Sequence, residues 1–239
     1  MSPGDSFSSS LAAICVGWTG ASGLAYGVRL VEALLAAGRD VNLVVSAAVA
    51  QTAPIELDAT PDELIAALVA GRSLPVVPGE PPRAVALAPG AGAPSRGNLH
   101  RWDERDFTAP MASGSSMRGG MVVCPCSMGT VGRVAWGTSE TLLLRAADVC
   151  LKERLPLLLV PREMPLATHH LENLAKLSAA GALIVPAAPG FYLRPRKIGD
   201  LVDFVVQRVC DHLGVPVAVG GRWRAGLATG AGADPGEGA

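Results

Sequence analysis

The chain has 239 residues, 49% of them hydrophobic and 17% charged, with a formal net charge of −1. That composition builds one sizeable domain with a substantial core. It leaves no basic footprint for nucleic acid or an anionic membrane surface, and no uninterrupted apolar run is long enough to span a bilayer.

Residues 1–10 are rich in Ser and read as a disordered N-terminus, with no signal-peptide pattern. The apolar run "LAAICVGW" (11–18) predicts a buried strand. The turn "TGASG" (19–23) follows, with Ser22 placed to N-cap the next helix. On that helix Leu24, Val28, Val31 and Leu35 share one face, Arg29 and Glu32 another, and Gly38 ends it. "VNLVVS" (41–46) is the second strand, and Glu56 falls in the loop beyond it. "PDELIAALVAG" (61–71) is a short helix with Pro in its first turn.

Residues 72–110 form a Pro/Gly-rich insertion, read as loop apart from one short strand near "RAVALA" (83–88). "GGMVVCPCS" (119–127) is a strand, followed by helices over 128–136 and 139–153. "LPLLLVPRE" (155–163) and "ALIVPA" (182–187) are strands flanking a helix over 167–181. The last helix, 199–213, lines one side with Val202, Val206, Val209 and Leu213, and 226–239 read as a disordered tail. The single domain therefore spans 11–225. Alternating strands and helices predict a mainly parallel sheet with helices on both faces. Ligands in such folds sit at the carboxyl ends of the strands.

Gly17, Gly20 and Gly23 punctuate the first strand end with a G-x-x-G-x-x-G spacing. A helix starting there aims free N–H groups at a phosphate or similar anion, or the turn is simply tight. A dinucleotide site needs an acid at the end of the second strand, where the chain has Ser46, Ala47 and Ala48 instead. "CPCSMGT" (124–130) repeats the pattern, with Ser127, Gly129 and Thr130 at a helix start, as a ligand loop or as a capped helix.

Lys152, Arg162 and Arg208 fall in or beside apolar segments, where a charge needs a partner or a ligand. Arg145 either joins them or only pairs with Asp148, and Glu163 either pairs with Arg162 or moves a proton. His169 and His170 read as packing or capping groups rather than metal ligands. Cys124 and Cys126 read as small buried hydrophobes rather than a metal pair. Five cysteines without a staple pattern point to the reducing cytoplasm.

Several long segments, in order, resemble the UbiX family of flavin prenyltransferases: "TGASG", "YGVRL", "ASGS" (112–115), "CPCSMGT", "RAADVCLKER" (145–154), "LLLVPREMPL" (157–166), "HLENL" (170–174), "PAAPGFYLRP" (186–195) and "DLVDFVVQRV" (200–209). The resemblance implies a three-layer α/β Rossmann/flavodoxin-like fold. It also implies an enzyme that joins a dimethylallyl group from dimethylallyl phosphate to N5 and then C6 of reduced FMN. The product, prenylated FMN, serves a UbiD-type decarboxylase. No metal is implied, and the family forms homo-oligomers, typically dodecamers built from trimers.

By the same resemblance, Gly20, Ala21 and Ser22 form the first flavin loop, with Ser22 also near the prenyl phosphate. Ser46 is a flavin contact, and Ser127, Met128, Gly129 and Thr130 are the second flavin loop. Arg162 touches flavin and phosphate; Lys152, Tyr192 and Arg208 hold the dimethylallyl phosphate, with Arg145 beside them. Glu163 and Glu56 serve the proton steps. Phe107 stands where some relatives have Trp, facing the allylic cation, and Trp223 matches a further family aromatic. Departures are Met164 after "PRE", Thr141 in place of a common Asn, Pro54 near Glu56, and the length of 72–106. The alternatives are a flavin-dependent cysteine decarboxylase of the same fold and a non-catalytic flavin-binding subunit. The first lacks its family's "PASANT"-like loop here, and no His precedes His100.

Overall fold

In a computed structural model, which describes residues 12–75, 77–92 and 94–222, the aliphatic runs assemble into one six-stranded parallel sheet. Its strands are β1 (Ile14–Trp18), β2 (Val41–Val45), β3 (Leu99–Trp102), β4 (Met121–Cys126), β5 (Leu157–Pro161) and β6 (Leu183–Ile184). They lie in the order β3-β2-β1-β4-β5-β6. The order reverses between β1 and β4, which opens a crevice beyond their carboxyl ends.

Side chains alternate along the strands and feed two separate cores. Ile14, Val16 and Trp18 join Val122, Leu158 and Val160 under α1 (Leu24–Ala36), α2 (Val49–Leu57), α3 (Pro61–Val69) and, later in the chain, the long C-terminal helix. Cys15, Met121, Val123, Leu157 and Leu159 face α4 (Met128–Ala135), α5 (Leu142–Glu153) and α6 (Thr168–Ala179). The C-terminal helix is α7 (Ile198–His212), packed beside α1. The expected three-layer α/β fold is thus present. None of the described helices is long and apolar enough to cross a membrane.

Four expectations need correction. The segment after β2, read as loop, is helix α2, and Glu56 and Pro54 lie on it. The strand expected at 83–88 reduces to one antiparallel bridge, Leu87 to Val217, while the sheet edge is β3 at Leu99–Trp102. The final strand shortens from 182–187 to the two residues of β6.

Fourth, α1 has no polar outer face: Arg29 is only 1% exposed and Glu32 is buried too. The insertion and α7 cover that side of α1, and the charge is neutralised internally. Arg29 donates to Asp203 (2.8 Å), to Glu32 (2.7 Å) and to the carbonyls of Arg83 and Ala84. Arg83 extends the cluster to Asp203 and Asp200, so the Pro/Gly-rich segment is anchored to α1 and α7. The 1–10 and 226–239 tails lie outside the described residues, as does Trp223.

Candidate functional site

β1 ends in a buried hydroxyl that the sequence motifs did not single out. Thr19 Oγ1 donates to the carbonyl of Pro125 (2.8 Å) and accepts from Ser127 N (2.9 Å). It thereby ties the loop after β1 to the loop after β4. Ser127 then caps α4, accepting from Thr130 N at 3.2 Å, with the two hydroxyls 3.0 Å apart. The first N–H groups of a helix have no partner within it, so α4 begins as a donor surface.

The start of α1 is built differently from expectation. Gly23, not Ser22, is the N-cap; it sits at φ +106°, a left-handed conformation that suits glycine. No side chain of the turn caps the helix. Instead the Glu56 carboxylate on α2 accepts from Gly23 N (2.9 Å) and Leu24 N (2.8 Å). A negative charge at a helix N-terminus is favourable. The helix end expected to face a ligand anion is therefore occupied by the protein's own carboxylate. Ser22 is left exposed, and its carbonyl accepts from Arg162 Nε at 3.1 Å.

A cavity of about 360 Å³ lies at the strand ends, with Thr19, Gly20, Ser46, Ser127 and Thr130 on its wall. Ala47, Ala48, Glu104, Arg133 and Thr141 complete the polar and backbone lining. Sequence reasoning missed Glu104 and Arg133, because the β3 exit and α4 bring them in from separate elements. Gly20 is needed for close approach: a Cβ there would come within 2.5 Å of the Ala48 methyl. Gly129 opens onto free space, its nearest would-be neighbours being Arg133 Nη2 at 3.8 Å and Ser127 Oγ at 4.0 Å. Ala21 and Met128 are buried, the latter in the core under α4, so Met128 offers the site only its backbone.

The structure does not bring every candidate to this cavity. Lys152 ends α5 paired with Glu153, whereas the cavity touches that helix at Leu143 and Leu144. Nine residues of helix separate the two points, roughly 13 Å along the axis. Arg208, on α7, pairs with Asp211 at 3.0 Å. Tyr192 packs edge-on against Phe204 with ring centroids 5.6 Å apart. Arg145 pairs with Asp148 (2.7 Å) and donates to the Ala112 carbonyl (3.1 Å). Phe107 stands half-exposed in the turn after β3 and does not line the cavity. Glu163 accepts from Met164 N at 3.1 Å and makes no ion pair with Arg162.

The remaining chemistry-bearing residues have structural duties. His170 Nδ1 accepts from Ala167 N at the start of α6. Burial pushes the Cys126, Cys150 and Cys210 thiols up to about 12, and Cys15 and Cys124 higher still, so they stay protonated. A register shift between Val123 and Cys126 sends Cys124 and Cys126 into opposite cores, where they cannot share a metal. Among the described residues no group of three His, Cys, Asp or Glu side chains could hold one.

The Flavoprotein family model matches residues 6–210. A flavin prenyltransferase UbiX from Pseudomonas aeruginosa is 44% identical over 210 residues, 88% of this chain and 93% of the relative. The Thermoplasma acidophilum protein of the same name is 39% identical, covering 88% of this chain and 99% of its own. Among solved structures, AnUbiX (PadA1) in complex with FMN and dimethylallyl pyrophosphate superposes with a TM-score of 0.73 at 32% identity, covering 90% of this chain and 98% of that one. A dodecameric FMN-dependent UbiX-like decarboxylase from Escherichia coli O157:H7 gives 0.72 at 34% identity, over 89% and 100%. With the strand-end crevice, the two tied loops and matches of this length, the chain belongs to the Flavoprotein family and, within it, to the UbiX flavin prenyltransferases.

Proposed function

We propose that this protein transfers the dimethylallyl group of dimethylallyl phosphate to reduced FMN, giving prenylated FMN for a UbiD-type decarboxylase. The observation that carries the reading is the meeting of the β1 and β4 loops, tied through Thr19, with Arg162 held on Ser22 beside them. The donor set fits a flavin mononucleotide: the hydroxyls of Thr19, Ser46, Ser127, Thr130 and Thr141, an open glycine and a helix start around a cavity of about 360 Å³, a usual size for a ligand site. Gly20, Ala21, Ser22, Ser46, the 127–130 loop and Arg162 would hold it.

Bound in its reduced state, the flavin supplies the electron-rich N5 and C6 that take the prenyl group. The chain's own side chains manage the other partner. Ser22, Lys152, Arg145, Tyr192 and Arg208 bind the prenyl phosphate and stabilise charge on its oxygens as the C–O bond breaks and the electron pair leaves with phosphate. Phe107 offers an aromatic face to the allylic cation, and Trp223 is a further substrate-binding aromatic. Glu163 and Glu56 serve the proton transfers, and the departing phosphate is itself a base. No metal takes part.

Lys152 lies too far along α5 to reach its own cavity, so the reading includes a homo-oligomer, a dodecamer as in the Escherichia coli structure, in which neighbouring copies complete each site. A cytoplasmic enzyme fits this chemistry. The test is phosphate release under anaerobic conditions. The expected result is inorganic phosphate formed only when both reduced FMN and dimethylallyl phosphate are present. Dimethylallyl diphosphate in a parallel arm, whose leaving group is read as pyrophosphate, distinguishes the preferred donor. Release that ignores reduced FMN, or none from either donor, overturns the reading.

A further inference from the structure

Among the described residues, Arg133 is the one cation on the wall of the strand-end cavity, and Glu104 is the one carboxylate there. Arg133 lies on α4, six residues and so nearly two turns beyond Ser127. Its guanidinium folds back toward the first turn of that helix. Nη2 comes within 3.8 Å of the place a Gly129 Cβ would take, and Ser127 Oγ within 4.0 Å of the same point. Among the described residues Arg133 pairs with no carboxylate and its side chain donates no hydrogen bond. The other cations considered for the site are all engaged: Arg145 with Asp148, Lys152 with Glu153, and Arg162 with the Ser22 carbonyl. An unengaged planar fork of five N–H donors, beside the hydroxyls of Ser127, Thr130 and Thr141, is matched to a phosphate.

We infer that Arg133 grips the phosphate end of the flavin mononucleotide and so selects the phosphorylated flavin over riboflavin. The inference rests on the flavin reading of this cavity and adds its polarity. The phosphate lies at the α4–Thr141 end, leaving the isoalloxazine toward Ser22 and Arg162. Glu104 makes the cation necessary, because without Arg133 a phosphate dianion would meet an unbalanced carboxylate.

The test measures equilibrium binding of FMN and of riboflavin by flavin fluorescence, for the wild-type protein and for Arg133→Gln and Arg133→Lys. Loss of one charge-assisted contact on an exposed arginine is worth roughly tenfold in affinity. Arg133→Gln is therefore expected to weaken FMN about tenfold, leave riboflavin unchanged and flatten the salt dependence of FMN binding. Arg133→Lys is expected to recover most of the loss. Unchanged FMN affinity, or equal weakening of both flavins, overturns the inference. So does a raised KM for dimethylallyl phosphate with FMN affinity intact, which would assign Arg133 to the other phosphate. Arg133-dependent FMN binding without any prenyl transfer would keep this inference and overturn the function proposed above. A wild-type protein that binds neither flavin overturns both.

Discussion

Glu56 holds two backbone N–H groups of the α1 turn on one carboxylate, which makes it part of the architecture of the first loop. Replacing it by Gln removes the charge facing the helix start but keeps an acceptor. Glu56→Gln is expected to cost about 1 kcal/mol and to lower Tm by about 2–4 °C, read by thermal melting; an unchanged Tm contradicts this placement. Gly20→Ala acts on the facing loop, where the new methyl would press on Ala48. Its expected signature is weakened FMN binding, roughly tenfold, from a displaced loop, measured by fluorescence titration; wild-type affinity would contradict it. At this scale the sequence was informative where chemistry sits in one short motif, as in Ser127 to Thr130. It was silent on Thr19, Glu104 and Arg133, whose roles arise from neighbours more than a hundred residues away or on other elements. Ser22 looked like a cap because a cap and an exposed loop serine carry the same local signal.

The elements were legible wherever an apolar period was long. α2 was hidden because its N-cap is Ala48, no side chain caps it, and Pro54 lies inside it. β3 was hidden because an edge strand reading "LHRW" buries little and shows no alternation. α1 is seated on the sheet through Gly27, where a Cβ would fall 2.3 Å from the Cys124 carbonyl and 2.8 Å from Trp18 Nε1. Gly27→Ala must push the helix off β4, at a cost of about 1–3 kcal/mol, measured by urea unfolding; wild-type stability would contradict the close seat.

The first turn of α7 carries Asp200, which accepts from Arg196 N and Lys197 N and pairs with Arg83. The Arg196 hydrogen bond, helped by Arg83 and opposed by partial burial, holds the Asp200 carboxyl below the usual carboxylate range. Its contribution is therefore complete above the unfolded value, near pH 4, and is lost as pH falls through the lower folded value. Asp200→Ala is expected to lower stability by about 1 kcal/mol at pH 7, with the gap to wild type closing in acid. A gap constant from pH 7 down to acid unfolding would contradict that account.

Across the whole molecule, large apolar side chains remain outside both cores. Ile55 is 83% exposed and Met164 85%, with Trp136 and Phe191 also largely uncovered. Such surface is what an assembly covers, and it accompanies a site whose candidate cations do not all meet in one chain. The parallel sheet and its reversal point follow from the alternation of strands and helices. The proposed sharing of the site between chains would leave no local signal, because spacing along a sequence says nothing about which copy a side chain serves. If Lys152 acts from a neighbour, Lys152→Ala and Arg162→Ala proteins are each inactive alone. Co-assembled, they should regain activity at about a quarter of the sites by random mixing. No recovery in verified mixed oligomers would assign both residues to one chain.

The central claim is prenyl transfer to the flavin, and the most direct measurement is the mass of the flavin itself. Purified protein is incubated anaerobically with reduced FMN and dimethylallyl phosphate, and the released flavin is weighed by mass spectrometry. The account predicts a flavin heavier than FMN by one five-carbon prenyl unit, absent when Arg162→Ala replaces the wild-type protein. Recovery of unmodified FMN alone, from a protein shown to bind it, would contradict the account.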